Sequence, residues 1–203
     1  KKFEELIASD LSRRQGGYGR GKRQQIEQDR AEIVSGVRHG LSIGSPIALA
    51  MTNKDHQNAN WRNRMSVEPI NDVVEKTTLL RPGHADLVGT QKYGFDDVRP
   101  ILERSSARET AARVAVGSVA RALLRAIGIE IRSHTLSIGN VSAKAKTSID
   151  WSLVEKSPVR VADKAVEQAM IQEIDIARTE LDTLGGVFEI RASGLPMGLG
   201  SHV

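Results

Sequence analysis

Phe3, Leu6, Ile7 and Leu11 recur at the spacing of one helical face, which predicts an amphipathic helix from about Lys2 to Arg14. Strand-like runs near residues 25–37 and 46–52 follow, punctuated by His-Gly, Gly-Ser and a proline, and read as an antiparallel meander. Ala107, Ala111, Val114, Ala115, Ser118, Ala122 and Leu123 form a small-residue face on a predicted helix over about 106–126, which Gly128 stops. Residues 129–138 are strand-like, and their apolar parity slips between Ile131 and Leu136, which predicts a bulge. A further helix is expected from Asp163, its N-cap, to about Thr183, with Val166, Met170, Ile174, Ala177 and Leu181 buried and Gly185-Gly186 ending it. In VFEIRA, Phe188, Ile190 and Ala192 alternate with Glu189 and Arg191, the period of a strand with its apolar face inward.

The order α, β, β, α, β, α, β, with strands in runs rather than strict alternation, indicates the α+β class and one domain over residues 1–203. Residues 53–80 are polar and irregular, long enough for a lid or an oligomer contact. A 39% hydrophobic content supports an ordinary core, and the absence of cysteine excludes a disulfide framework and cysteine-ligated zinc. A formal net charge of +4 suits an anionic small molecule better than a dedicated nucleic-acid surface. No apolar run reaches the ~20 residues of a membrane span, and the charged start does not resemble a signal peptide, so a cytoplasmic protein without a membrane partner is expected.

Three segments carry candidate chemistry. RRQGGYGRGKR, from Arg13 to Arg23, alternates guanidinium groups with glycines and reads as an anion cradle around Arg14, Arg20 and Arg23. It lacks the spacing of a P-loop or a dinucleotide fingerprint, so the anion stays open. The same composition also occurs in RGG-type RNA-binding segments, although two Trp, two Tyr and three Phe leave few stacking platforms. ERSSARET contains Ser106-Ala107-Arg108-Glu109, a capping-box pattern in which Ser106 accepts from the Glu109 backbone N–H. Such an opening is either a plain capped helix or a place for a phosphate or an anionic ring edge. RPGHAD puts His84 beside Arg81 after a proline-glycine turn, where a histidine is either a structural hydrogen-bonding group or a proton carrier. The other histidines have no ligand spacing, and Asp96, Asp97 and Glu103 read as turn and salt-bridge residues, so no metal is expected. The three segments together are read as one site.

RRQGGYGRGKR, SGVRHG, NKDH, RPGHADLVGTQKYGFDDVRP, LERSSARETAARVAVGSVA and GGVFEI together resemble the chorismate synthase family, in that family's order along nearly the whole chain. The resemblance implies a lyase of the shikimate pathway, in aromatic amino-acid biosynthesis, that eliminates phosphate from 5-enolpyruvylshikimate 3-phosphate to give chorismate. It also implies reduced flavin mononucleotide (FMN) as cofactor, a β-α-β sandwich fold and a cytoplasmic homotetramer. Arg14, Arg20, Arg23 and Arg81 match the family's substrate-anion arginines. Arg14 and Arg20 also match positions assigned to NADP, since NADPH reduces the flavin in bifunctional members. Ser106, Ala107 and Arg108 match the flavin-binding Ser-Ala-Arg, and His84 matches an active-site histidine that assists proton handling.

The chain departs from the family in starting after its Gly-Glu-Ser-His-Gly motif and in lacking its later half. It therefore reads as an internal piece, a partial domain that is weakly active or inactive alone and exposes apolar edges. Two other classes compete with the enzyme: an inert relative kept for assembly, and an RGG-like nucleic-acid module.

Overall fold

The computed structural model describes residues 2–20, 29–53, 63–71, 73–144 and 146–200. Helices and small antiparallel sheets make the chain α+β, as the order of its patterns predicts. It divides into two compact units, the first of residues 1–28 and 117–203 and the second of residues 29–116.

The first unit opens with α1 (Lys2–Gln15), whose Ile7 and Leu11 are fully buried, as the 3.6-residue period requires. Helix α4 (Glu109–Ala126) begins in the second unit and continues into the first. Its Ala111, Ala115 and Ser118, spaced i, i+4 and i+7, are all buried. The Ser118 hydroxyl donates to Asp10 of α1 at 2.8 Å, and Arg121 pairs with the other oxygen of that carboxylate, so the buried acid is met by a hydroxyl and a charge. The capping-box expectation fails in detail, since the helix starts three residues after Ser106. Ser106 Oγ accepts from the Arg108 N–H at 3.2 Å, and Glu109 pairs forward with Arg113 rather than back to the cap.

Strand β5 (Glu130–Ile138) lies between β6 (Val141–Ser142) and β7 (Gly186–Ser193), both antiparallel to it. The predicted bulge is present, as the β5–β7 register slips between Thr135 and Ser137. The face of β7 is the reverse of that expected. Phe188 and Ile190 are exposed, whereas Glu189 and Arg191 are half-buried. The cause is β5: His134 is 4% exposed, its Nε2 lies 2.8 Å from Glu189, and Arg191 donates to the same carboxylate. That polar triad claims the inner side, and Trp151 meets the His134 ring edge-on.

Helix α5 (Trp151–Lys156) is capped by Asp150, and α6 (Lys164–Glu180) by Asp163, which accepts from the Ala165 N–H at 3.0 Å as predicted. Met170 of α6 packs on Val159 and Val161 at the centre of this unit's core, with Ile138, Val141 and Ile174 around them. The helix ends earlier than expected. Leu181 adopts a left-handed conformation at its C-terminus and is exposed, so it leaves the predicted buried face and replaces Gly185-Gly186 as the stop.

In the second unit, β1 (Glu32–Ser35) pairs antiparallel with β4 (Ala48–Ala50). Between them β2 (Val37–Arg38) and β3 (Leu41–Ser42) form a hairpin turned by His39-Gly40, both at positive φ. Two short helices follow, α2 (Asp86–Tyr93) and α3 (Arg99–Arg104), with Val98 and Ile101 buried. Asp97 accepts from the backbone N–H groups of Thr77 and Arg99, and Asp96 pairs with Lys76, the turn and salt-bridge roles expected of them. Part of the lid candidate, residues 54–62 and 72, lies outside the described residues.

Candidate functional site

RPGHAD folds into a clamp built on an aspartate. Asp86, the first residue of α2, has a side chain with no exposed surface, and such a carboxylate must be paired to stay charged. Arg81 supplies the pairing three times. Its backbone N–H donates to Oδ2 at 2.8 Å, its Nε to Oδ2 at 2.9 Å and its Nη2 to Oδ1 at 2.8 Å, a bidentate fork closed over a five-residue turn. The Arg81 side-chain bonds, then its backbone N–H and the charges of Arg81 and His84, hold the Asp86 carboxyl down at about 2. Because that value is depressed, the clamp's contribution to stability is complete above the ordinary carboxylate value of 3.8 and is lost as pH falls through about 2. Asp86, and more weakly Glu103, in turn raise the Arg81 guanidinium above its ordinary value.

His84 leans on this clamp. Its Nδ1 lies 3.0 Å from Arg81 Nη2 and 3.4 Å from Asp86 Oδ1. Arginine can only donate, so in the neutral ring Nδ1 accepts and the hydrogen sits on Nε2. The imidazole is half-exposed, its orientation fixed from one side and its Nε2–H open to a ligand. Arg81 spends Nε and Nη2 on Asp86 and His84, which among the described residues leaves Nη1 for an anion.

Ser106, Ala107 and Arg108 form the turn before α4. Arg108 Nη1 lies 2.7 Å from Asp29, which is almost fully buried, and Nη2 donates to the Thr52 carbonyl at 3.0 Å. The expected ligand-binding arginine is therefore also a structural one. Ser106 Oγ accepts from Arg108 and keeps its own hydroxyl hydrogen to donate, directed at no acceptor among the described residues. A hydroxyl donor beside a fixed guanidinium suits a phosphate or an anionic ring edge.

The described part of the glycine loop, up to Arg20, belongs to the first unit and is not slack. The Tyr18 backbone N–H donates to the Pro158 carbonyl at 3.1 Å, and its phenol reaches both oxygens of Asp175 at 2.9 Å. Gly19 sits at φ +73°, and a Cβ there would lie 2.7 Å from Ile174 Cγ2, so another residue is strained there and must shift the Ile174 side chain or the loop. Arg20 folds back over Gly17, its Nε 2.9 Å from where a Cβ would stand. The loop borders a cleft of about 600 Å³ whose charged lining is Arg13, Arg20, Arg160 and Glu155. Arg160 grips Glu155 through both terminal nitrogens at 3.2 Å, and Arg13 lies 3.4 Å away on the same carboxylate. The Arg160 bonds, then the charges of Arg160 and Arg13, hold Glu155 below the usual carboxylate range, while burial and Arg160 lower Arg13. Three guanidinium groups and one carboxylate make the charged lining arginine-rich, with Arg13 shared between Glu155 and Asp10, the latter at 3.7 Å.

The Asp175 hydrogen bond raises the Tyr18 phenol above its ordinary value of 10. A raised value means that this bond stabilises the fold below pH 10 and is lost as pH rises through the folded value. Alkaline absorbance titration is expected to show a tyrosine midpoint above 10 that moves down in Asp175→Asn; an unchanged midpoint would refute the bond.

The structure thus brings Arg81 and His84 together and gathers Arg108 with Asp29 and Thr52, while Arg14 and Arg20 stand at the start and far side of the glycine loop. Arg23 lies outside the described residues. Sequence reasoning missed Asp86 and Asp175. Asp86 was within reach, since an arginine and an aspartate closing RPGHAD at i and i+5 can meet across a proline-glycine turn, whereas nothing near Tyr18 announces a partner 157 residues away. Among the described residues no three His, Asp or Glu side chains gather as a metal site.

Comparison with known proteins gives one consistent result. The family model "Chorismate synthase" matches residues 3–203. A chorismate synthase of Alkaliphilus metalliredigens is 53% identical over 201 residues, covering 98% of this chain and 52% of that protein. One from Chlorobaculum tepidum is 52% identical, covering 98% and 53% respectively. A solved structure described as a crystal structure of chorismate synthase superposes with a TM-score of 0.70 at 36% identity, over 95% of this chain and 50% of that one. The chain spans about half the length of the relatives it matches.

Proposed function

Because the chain belongs to the chorismate synthase family, we propose that it forms the substrate- and flavin-binding portion of a lyase of aromatic amino-acid biosynthesis. The reaction is the anti-1,4-elimination of phosphate from 5-enolpyruvylshikimate 3-phosphate: phosphate departs with the electron pair of its carbon–oxygen bond, the electron pair of a ring C–H bond enters the ring as the existing double bond shifts to give the diene of chorismate, and the proton passes to solvent. In this reading the loop and the clamp each serve the whole protein, a cytoplasmic homotetramer. The observation that carries it is the Arg81–His84–Asp86 clamp, a fixed guanidinium beside an oriented imidazole, within a family match that spans residues 3–203.

The chemistry asked of these residues is electrostatic. Arg14, Arg20, Arg23 and the Nη1 edge of Arg81 hold the substrate's carboxylates and phosphate and stabilise charge on the departing group, which needs preorganised donors rather than a nucleophile. His84 offers a proton at Nε2. Ser106, Ala107 and Arg108 hold the flavin, the Ser106 hydroxyl and the Arg108 side supplying donors to its anionic edge. Reduced FMN, when bound, supplies the electronic chemistry with no net redox change. NADPH as its reductant would use the loop cations Arg14 and Arg20.

A chimera in which this chain replaces the matching half of the Alkaliphilus metalliredigens relative tests the reading. Under anaerobic conditions with reduced FMN and 5-enolpyruvylshikimate 3-phosphate, it is expected to release phosphate. Arg20→Ala, an exposed position whose loss leaves the core intact, is expected to lower kcat/KM by about a hundredfold, the scale of a lost charged hydrogen bond in a dry site. A silent chimera beside an active relative would overturn the assignment.

A further inference from the structure

The glycine loop is fastened at three points, and two of them are adjacent residues of one helix. Ile174 receives the loop backbone at Gly19, where any side chain would collide, and Asp175 receives the Tyr18 phenol on both carboxylate oxygens. The third point is the Tyr18 N–H on Pro158, at the foot of the cleft. Asp175 lies in the middle of α6, a seventeen-residue helix capped at its start and packed through Met170 into the core, so it is a rigid anchor rather than a loop contact. A four-glycine segment left to itself samples many conformations, and each arginine on it would lose freedom on meeting an anion. At Tyr18 and Gly19 that freedom is removed before any ligand arrives.

We infer that Tyr18 and Asp175 are a positioning pair that locks the glycine loop against α6 and so presents Arg20 at the arginine-lined cleft to a phosphorylated ligand. The inference deepens the function proposed above and rests on it for the identity of the ligand. In this role both residues act through the loop they hold. Their effect is on binding, because the pair shifts the ordering cost of the loop from the binding step to the folding step. Tyrosine suits the role because its ring spans from the loop to the helix while its hydroxyl alone makes the bond, so Tyr18→Phe removes one interaction and keeps the shape.

The chimera and its Tyr18→Phe, Asp175→Asn and double variants provide the test, with inorganic pyrophosphate as the probe and Arg20→Ala defining the fraction bound at the loop. Each single variant is expected to weaken that fraction about tenfold, the scale of one hydrogen bond to a charged group. The double variant should be no weaker than either single one, the signature of two residues acting through one contact. Trypsin cleavage after Arg20 should accelerate in all three, and the loss should fall on KM for the phosphorylated substrate rather than on kcat. Unchanged cleavage, losses that add, a loss confined to kcat, or a wild-type chimera that binds no pyrophosphate through Arg20 would each overturn the pair. Coupled loss of pyrophosphate binding in a chimera without turnover would uphold the pair while removing the lyase reading. Turnover with variants indistinguishable from wild type would do the reverse.

Discussion

Arg108→Ala is expected to destabilise the unit of residues 29–116 by about 3–5 kcal/mol, the cost of removing one member of a buried ion pair. Asp29 is 2% exposed at its side chain and Arg108 17%, so the guanidinium that lies 2.7 Å from the Asp29 carboxylate is withdrawn from a largely buried site. The same substitution frees the Thr52 carbonyl, which Arg108 Nη2 holds at the end of the β4 segment. In urea the unfolding midpoint should fall by about 2 M for a unit of this size. Arg108→Lys separates the two roles: an ammonium keeps the charge opposite Asp29 but cannot fork to Thr52, and a loss of about 1–2 kcal/mol is expected. A midpoint for Arg108→Ala within experimental error of wild type would show that Asp29 is satisfied without it. The result also governs how activity data are read, since a dead Arg108→Ala protein would report a damaged unit as readily as a lost flavin contact.

What could be read from the sequence follows a physical line. Ala111, Ala115 and Ser118 at i, i+4 and i+7 are buried because a helix has one period, and the parity slip in residues 131–136 appears as a bulge at 135–137 because a strand has another. Asp163 caps α6 through a bond to the next turn, a local event that a local signal can announce. The failures are non-local. The alternation of β7 is real, but which face turns inward was settled by His134, on a strand more than fifty residues earlier, whose ring needs Glu189. Leu181 ends α6 in a conformation its side chain disfavours, ahead of two glycines that offered a cheaper stop. Ser106-x-x-Glu109 has the letters of a capping box, yet Glu109 finds Arg113 on its own helix and the serine serves the Arg108 N–H.

The candidate site shows the same division. RPGHAD, SSAR and the glycine loop were legible because they are compact strings whose residue types state their chemistry. Their supports, Asp29 for Arg108 and Asp175 for Tyr18, come from distant parts of the chain and are ordinary acids in sequence. Such supports matter as much as the groups they hold, because a guanidinium or an imidazole placed an ångström loosely does little electrostatic work.

Asp86→Asn is expected to lower turnover of the chimera by about a hundredfold while leaving α2 in place, an effect through Arg81 and His84 rather than by direct contact with a ligand. The carboxylate accepts three hydrogen bonds from Arg81, and an asparagine in the same volume can return only one oxygen, its amide nitrogen facing a donor where an acceptor stood. Arg81 then loses the fork that fixes its plane, and with it the Nη2 that His84 Nδ1 meets at 3.0 Å. The ring is free to turn, and the hydrogen that the clamp keeps on Nε2 is no longer confined there. Nitrogen-15 chemical shifts of the His84 ring report this without reference to activity: an acceptor-like Nδ1 in the wild type and an averaged pair in the variant. The acid limit should change as well. The wild-type clamp persists until pH falls through about 2, whereas the neutral amide of the Asp86→Asn variant removes this group's share of the acid dependence. An unaltered nitrogen-15 pattern together with turnover within about threefold of wild type would show that Arg81 and His84 are held by something other than Asp86, and the clamp would then be a fold element and no part of the chemistry.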